Sequence, residues 1–139
     1  MRYSASCLCF ILILLNCRQQ PSQEDLVHLN GYWEIERVEF ADGTEKTYGA
    51  STTLDYLQIQ GLEGFRKKAY PNINGTFRVT DDAEPFKVRL IDNSFYMNYQ
   101  NELSQWQELI KNISQDNFTV VNEENITYYY KRYEPISID

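Results

Sequence analysis

Histidine is nearly missing from this chain: among 139 residues only His28 carries an imidazole. It lies in the N-terminal tail, whereas a Ser-His-Asp triad and a histidine-built zinc site both need imidazole beside other groups, so both are effectively excluded. Cysteine is missing from everything after Cys17, since Cys7, Cys9 and Cys17 all lie near the N-terminus. The region downstream therefore has no internal disulfide and no thiolate metal site. Long apolar runs are also missing. The longest, residues 7–15 (CLCFILILL), is well short of the roughly twenty residues a bilayer span needs. Basic charge is the minority sign: 13 Lys and Arg against 20 Asp and Glu leave a net charge of −7. That balance argues against non-specific binding to nucleic acid or to an anionic membrane surface. No Gly-rich phosphate loop, nucleophile elbow or metal-ligand spacing occurs. The carboxylate pairs Asp81-Asp82 and Glu123-Glu124 fall in predicted turns, where solvated charge is the ordinary role. The reading is of a protein that is not an enzyme and uses no metal and no cofactor.

What is present is aromatic. Eleven Tyr and seven Phe favour strands, whose pleated faces accommodate flat side chains. The length allows one domain with its own core. At the N-terminus, Arg2 followed by the apolar run suits a secretory signal peptide over residues 1–16. The run ends in Leu14-Leu15-Asn16-Cys17. This resembles the lipobox of bacterial lipoproteins, in which the cysteine becomes the first mature residue and is acylated. Asn16 departs from the Gly, Ala or Ser usual at that position. Lipidation of Cys17 makes the membrane a partner through an N-terminal anchor. Residues 17–28, polar and with one proline, read as a flexible tether, and residues 29–139 as the folded domain.

From Gly31 onward the apolar period is two. Trp33 and Ile35 alternate with Glu34 and Glu36, and Val38 and Phe40 continue on the other phase. A phase switch inside one strand predicts a bulge near Glu36-Arg37. Turn signals follow at Asp42-Gly43, Asn74-Gly75 and Asp92-Asn93, with strand candidates between them. In residues 52–60, Asp55, Leu57 and Ile59 share a face; later Phe86, Val88 and Leu90 do so, then Phe95, Met97 and Tyr99. Residues 102–113 are ambiguous. Leu103, Trp106, Ile110 and Ile113 fall at helical spacing. A strand is favoured because short strands surround the segment. Residues 126–133 (ITYYYKRY) form the last strand. About nine short strands joined by tight turns predict an all-β fold: a single antiparallel up-and-down barrel of about 8–9 strands.

Gly31-x-Trp33 on the first strand and Lys131-Arg132-Tyr133 on the last resemble the calycin superfamily. There a Gly-x-Trp opens the barrel and a late arginine packs over the tryptophan at the closed end. With the lipobox, the order Asn30-Gly31-Tyr32-Trp33-Glu34-Ile35 and the run Gly64-Phe65-Arg66-Lys67-Lys68, the chain is similar to lipocalin-like lipoproteins of Bacteroidota. The resemblance implies that Gly31, Trp33 and Arg132 close the barrel, with Lys131 the second choice for the stacking cation. It also implies secretion across the inner membrane and lipid anchoring in the bacterial cell envelope, at the outer membrane. The implied function is non-enzymatic binding of a small apolar or amphipathic ligand inside the barrel. The alternative is a filled barrel serving as a structural or protein-interaction module. Arg66 and Lys68 share a strand face, and Arg78 and Arg89 lie on later strands. Turned inward, these could meet an anionic head group; turned outward, they are solvated. Tyr128 and Tyr130 share a face with Arg132 and read as barrel-lining groups or ligand contacts.

Overall fold

The computed structural model describes residues 19–135. Ten strands run in chain order: β1 (Gly31–Glu39), β2 (Glu45–Thr47), β3 (Leu54–Gln60), β4 (Glu63–Pro71), β5 (Phe77–Val79), β6 (Glu84–Ile91), β7 (Ser94–Gln100), β8 (Gln105–Ile113), β9 (Asn117–Asn122) and β10 (Thr127–Arg132). Neighbouring pairs are antiparallel, and β10 pairs back onto β1. Eight strands thus close a ring in the order β1-β3-β4-β6-β7-β8-β9-β10. The short strands β2 and β5 attach outside it, to β1 and β4 respectively. The antiparallel barrel expected from the hairpin series is the fold this chain forms. Closure leaves no long unpaired edge, the usual hazard of a sheet.

The register explains the sequence pattern. Trp33 lies opposite Arg132, Ile35 opposite Tyr130 and Val38 opposite Tyr128, with a shift between Ile35 and Arg37. Residues directly opposite share a face. The bulge therefore absorbs the phase switch, and Trp33, Ile35 and Val38 all point inward. A second shift, between Ile110 and Asn112 of β8, keeps Ile110 and Ile113 both on the buried face. The ambiguous segment is a strand because β7 and β9 both satisfy its backbone, over nine residues. An amphipathic helix there would leave both neighbours with open edges.

The 17–28 tether departs from expectation in its last part. Residues Gln23–Leu29 form a 3-10 helix in which Leu26 and Leu29 are buried. The Asp25 carboxylate accepts from the Ser22 N–H at 2.7 Å and from the Ser22 hydroxyl at 2.9 Å, holding the first turn. The physical reason is that the barrel's lower end is open until an apolar plug covers it. Leu26 and Leu29 join the core cluster of Trp33, Leu57, Phe95, Ile110, Ile113 and Phe118. No helix among the described residues is long and apolar enough to cross a membrane.

Candidate functional site

Two ends of the barrel concentrate the features of interest. At the closed end, Trp33 is completely buried, and its indole N–H donates to the Leu29 carbonyl at 2.8 Å. The Phe118 ring meets it edge-on at 4.7 Å. The Arg132 guanidinium carbon sits 4.1 Å from the centre of the Trp33 ring. Its nitrogens donate to the carbonyls of Asn30 at 2.8 Å, His28 at 2.7 Å and Gln115 at 2.5 Å. Burial pushes the Arg132 pKa down, with Asp116 opposing. One side chain therefore ties the plug helix, the start of β1 and the β8–β9 turn to the indole. Gly31 has φ +126° and its missing side chain makes room: a Cβ there would collide with the Arg132 guanidinium. Both facts select glycine. Lys131 points outward instead and pairs with Glu34 at 3.3 Å.

The upper half of the interior is polar. Asp55 of β3 faces Lys68 of β4, with their charged atoms 2.5 Å apart. Two residues along, Arg66 pairs with Glu84 at 2.8 Å and lies 3.6 Å from Glu108. Its guanidinium carbon is 4.7 Å from the Tyr99 ring centre. Tyr99 stacks on Trp106 at 5.0 Å, and Tyr130 stacks on Phe118 at 4.4 Å. Burial disfavours the Arg66 charge, but the negative charge around it, Glu108 and Asp55 included, opposes this and the pKa is raised. For Glu108 burial is the stronger influence; it raises the pKa, with Arg66 pulling the other way. Burial also pushes the Tyr99 and Tyr130 hydroxyls well above the ordinary phenol range. Among the described residues, every buried side-chain nitrogen and oxygen has a hydrogen-bond partner. A satisfied network of this kind rigidifies the interior.

The residues singled out from sequence thus divide. Arg66 and Lys68 do share the inward face, but acidic side chains already occupy them. Arg78 lies outside, its guanidinium carbon 4.4 Å from the Tyr70 ring centre, and Arg89 is exposed on the outer wall of β6. Tyr128 and Tyr130 face inward above Trp33, with Tyr130 buried and Tyr128 half-buried. Cys17 lies outside the described residues. Asp55, Glu84, Glu108, Tyr99 and Trp106 complete the polar layer and were not singled out. Asp55 carried a signal in its shared phase with Leu57 and Ile59, as did Glu108 in its shared phase with Trp106 and Ile110. Charge at an inward position is informative because burying it unpaired is costly.

Several concavities among the described residues lie on the outer wall. One, of about 440 Å³, sits over the Glu34–Lys131 pair and is roofed by residues 50–52 and 71–75. Another, of about 270 Å³, runs beside Lys87, Arg89 and Asn98 on β6 and β7. Among the described residues no group of three or more His, Cys, Asp or Glu side chains could hold a metal ion.

The ring of eight antiparallel strands, plugged below and sealed by Gly31, Trp33 and Arg132, defines the class: a closed antiparallel up-and-down β-barrel. Among solved structures the chain is similar to a lipocalin-like protein from Bacteroides uniformis. That match has 11% identity, covers 76% of this chain and 99% of that chain, and has a TM-score of 0.47. Neither a family model nor a curated protein matches the chain.

Proposed function

We propose that this chain is a non-enzymatic barrel module of the cell envelope, held by an acylated Cys17, whose outer surface contacts another envelope component. The observation that supports the filled-barrel reading over an interior carrier is the polar layer itself. Arg66 pairs with Glu84 on the adjacent strand and reaches Glu108 on β8, while Asp55 pairs with Lys68 towards the more exposed rim. Tyr99, Trp106, Phe118 and Tyr130 stack in the space beside them. An apolar cargo would have to displace stacked rings and separate paired charges, and breaking a buried pair leaves an uncompensated charge. Ligand pockets of this kind of barrel are instead expected to be largely pre-formed.

The second reading, a small amphipathic ligand at the mouth, draws support from Ile35, Trp106 and Tyr128, which are only partly buried against the core. Native mass spectrometry of the protein purified from its own host separates the two. The filled-barrel reading expects the mass of the acylated polypeptide with no carried small molecule. A stoichiometric adduct that Tyr128→Ala or Trp106→Ala removes would overturn it in favour of the mouth site.

A further inference from the structure

The end of the barrel that carries the plug helix is also the end where the chain arrives from Cys17. Gln20 and Pro21 share a shallow concavity with Asn93, Ser94 and Phe95, at the turn between β6 and β7. Three residue steps separate Cys17 from Gln20, so an acylated cysteine can lie no more than roughly 10 Å from Gln20. On so short a leash the barrel cannot turn its mouth to the bilayer. The strand directions put the opposite end, with the loops 72–76, 101–104 and 123–125, a full strand length away.

The same closed end exposes large apolar side chains. Leu90 is 61% exposed and Ile91 45%, immediately before the β6–β7 turn, and Leu62 is 41% exposed in the β3–β4 turn. Leu62 sits beside them, since its carbonyl accepts from the Val88 N–H at 2.7 Å. Val27, on the plug helix, is 60% exposed. Leu90 is on the inward phase, opposite Phe95, but lies at the rim where nothing among the described residues covers it. Ile73 and Leu103 at the mouth end are exposed as well. Apolar exposure alone therefore does not choose an end; the position of the leash does. The charges near the turn, Asp92, Asp116 and Lys111, leave no basic excess to seek anionic lipid.

We infer that the closed end is a membrane seat: Leu62, Leu90 and Ile91 rest in the interfacial layer of the bilayer that holds the Cys17 anchor, and the mouth faces away. This rests on the acylation proposed above. The seat orients the outer wall and mouth loops toward whatever the module contacts. Apolar side chains at such a seat enter the boundary between head groups and acyl chains without spanning it.

The test uses the acylated full-length protein, processed in its host and reconstituted in phosphatidylcholine vesicles with brominated acyl chains. Leu90→Trp and Ile91→Trp report the closed end, and Leu103→Trp reports the mouth; the emission of Trp33 and Trp106 is subtracted using wild type. Bromine quenching of the added indole at 90 or 91 is expected to exceed that at 103 by about threefold or more, given an interfacial depth of several ångströms. Equal, weak quenching in a protein that stays with the vesicles would overturn the seat and leave the anchor standing. Stronger quenching at 103 would overturn it in favour of a mouth-down barrel. Intact mass and the vesicle partitioning of Cys17→Ala read the anchor separately. If the protein carries no acyl chain, or if the variant partitions as wild type does, the anchor fails and the seat falls with it.

Discussion

At the residue scale, Trp33 and Glu108 show how differently a buried side chain can act. Trp33 makes only favourable use of burial: core contacts, an edge-on phenyl ring, a satisfied N–H and a cation over its face. Truncating it removes all of these and opens a cavity. Trp33→Ala is expected to cost about 3–5 kcal/mol, read as a lowered midpoint in chemical denaturation. Glu108 is held against its solvation preference, and its pKa in the fold lies above the ordinary glutamate value. The folded state then binds the proton more readily than the unfolded state. This contribution to stability is fully present below the unfolded pKa, near 4.5. It is lost as pH rises through the folded pKa. Glu108→Gln cannot titrate there. Denaturation midpoints measured from mildly acidic to neutral pH should therefore fall more for wild type than for the variant. An identical slope in both proteins would remove Glu108 from the account.

At the scale of elements, the plug helix is the part that sequence periodicity described least well. Seven residues are too few for a helical period to stand out, and polar neighbours surround the two leucines. The Ser22-x-x-Asp25 spacing was the available signal, because a side chain three residues in can satisfy the backbone at the helix start. The helix persists through its contacts with the barrel rather than through propensity, as short helices do. Leu29→Ala is expected to destabilise the whole domain by about 2–5 kcal/mol, comparable to a leucine lost from any core. Thermal unfolding checks this: a barrel that melts as wild type does would mean the plug is dispensable. The strands were legible for the opposite reason. Period two persists through β1, β3, β6 and β7, and the bulge in β1 announced itself as a change of phase between Ile35 and Val38. In β8 the second bulge mixes periods, with Trp106, Ile110 and Ile113 landing at helical spacing. Pairing with β7 and β9 decides that segment, and the bulge hides the strand period from its own apolar spacing.

At the scale of the molecule, the layers run from one end to the other. The plug and apolar core lie at the closed end, the charged and aromatic layer above them, and the half-buried floor of Ile35, Trp106 and Tyr128 at the mouth. The exposed Leu62, Leu90 and Ile91 lie below. The proposed filled barrel and the proposed anchor lead to the two expectations already given. One is the absence of a carried ligand in native mass spectrometry, and the other is the contrast in quenching between positions 90 and 103. Both concern the molecule as a unit, since neither the barrel's content nor its orientation belongs to a single strand.

The amino-acid sequence by itself determined the class of fold. Alternation, tight turns and aromatic content leave little but an antiparallel barrel, and Gly31, Trp33 and Arg132 stand at the two ends that closure brings together. A single histidine in the N-terminal tail, and no cysteine after Cys17, likewise argued against a histidine triad and a thiolate metal site without any coordinates. Only the tertiary structure decided what fills the barrel. Arg66 and Lys68 looked equally able to meet solvent or an anionic ligand. Their partners Asp55, Glu84 and Glu108 sit on other strands, 13, 18 and 42 residues away at the distances that count. Charge pairing across a closed sheet depends on register, and register is fixed by the ring as a whole.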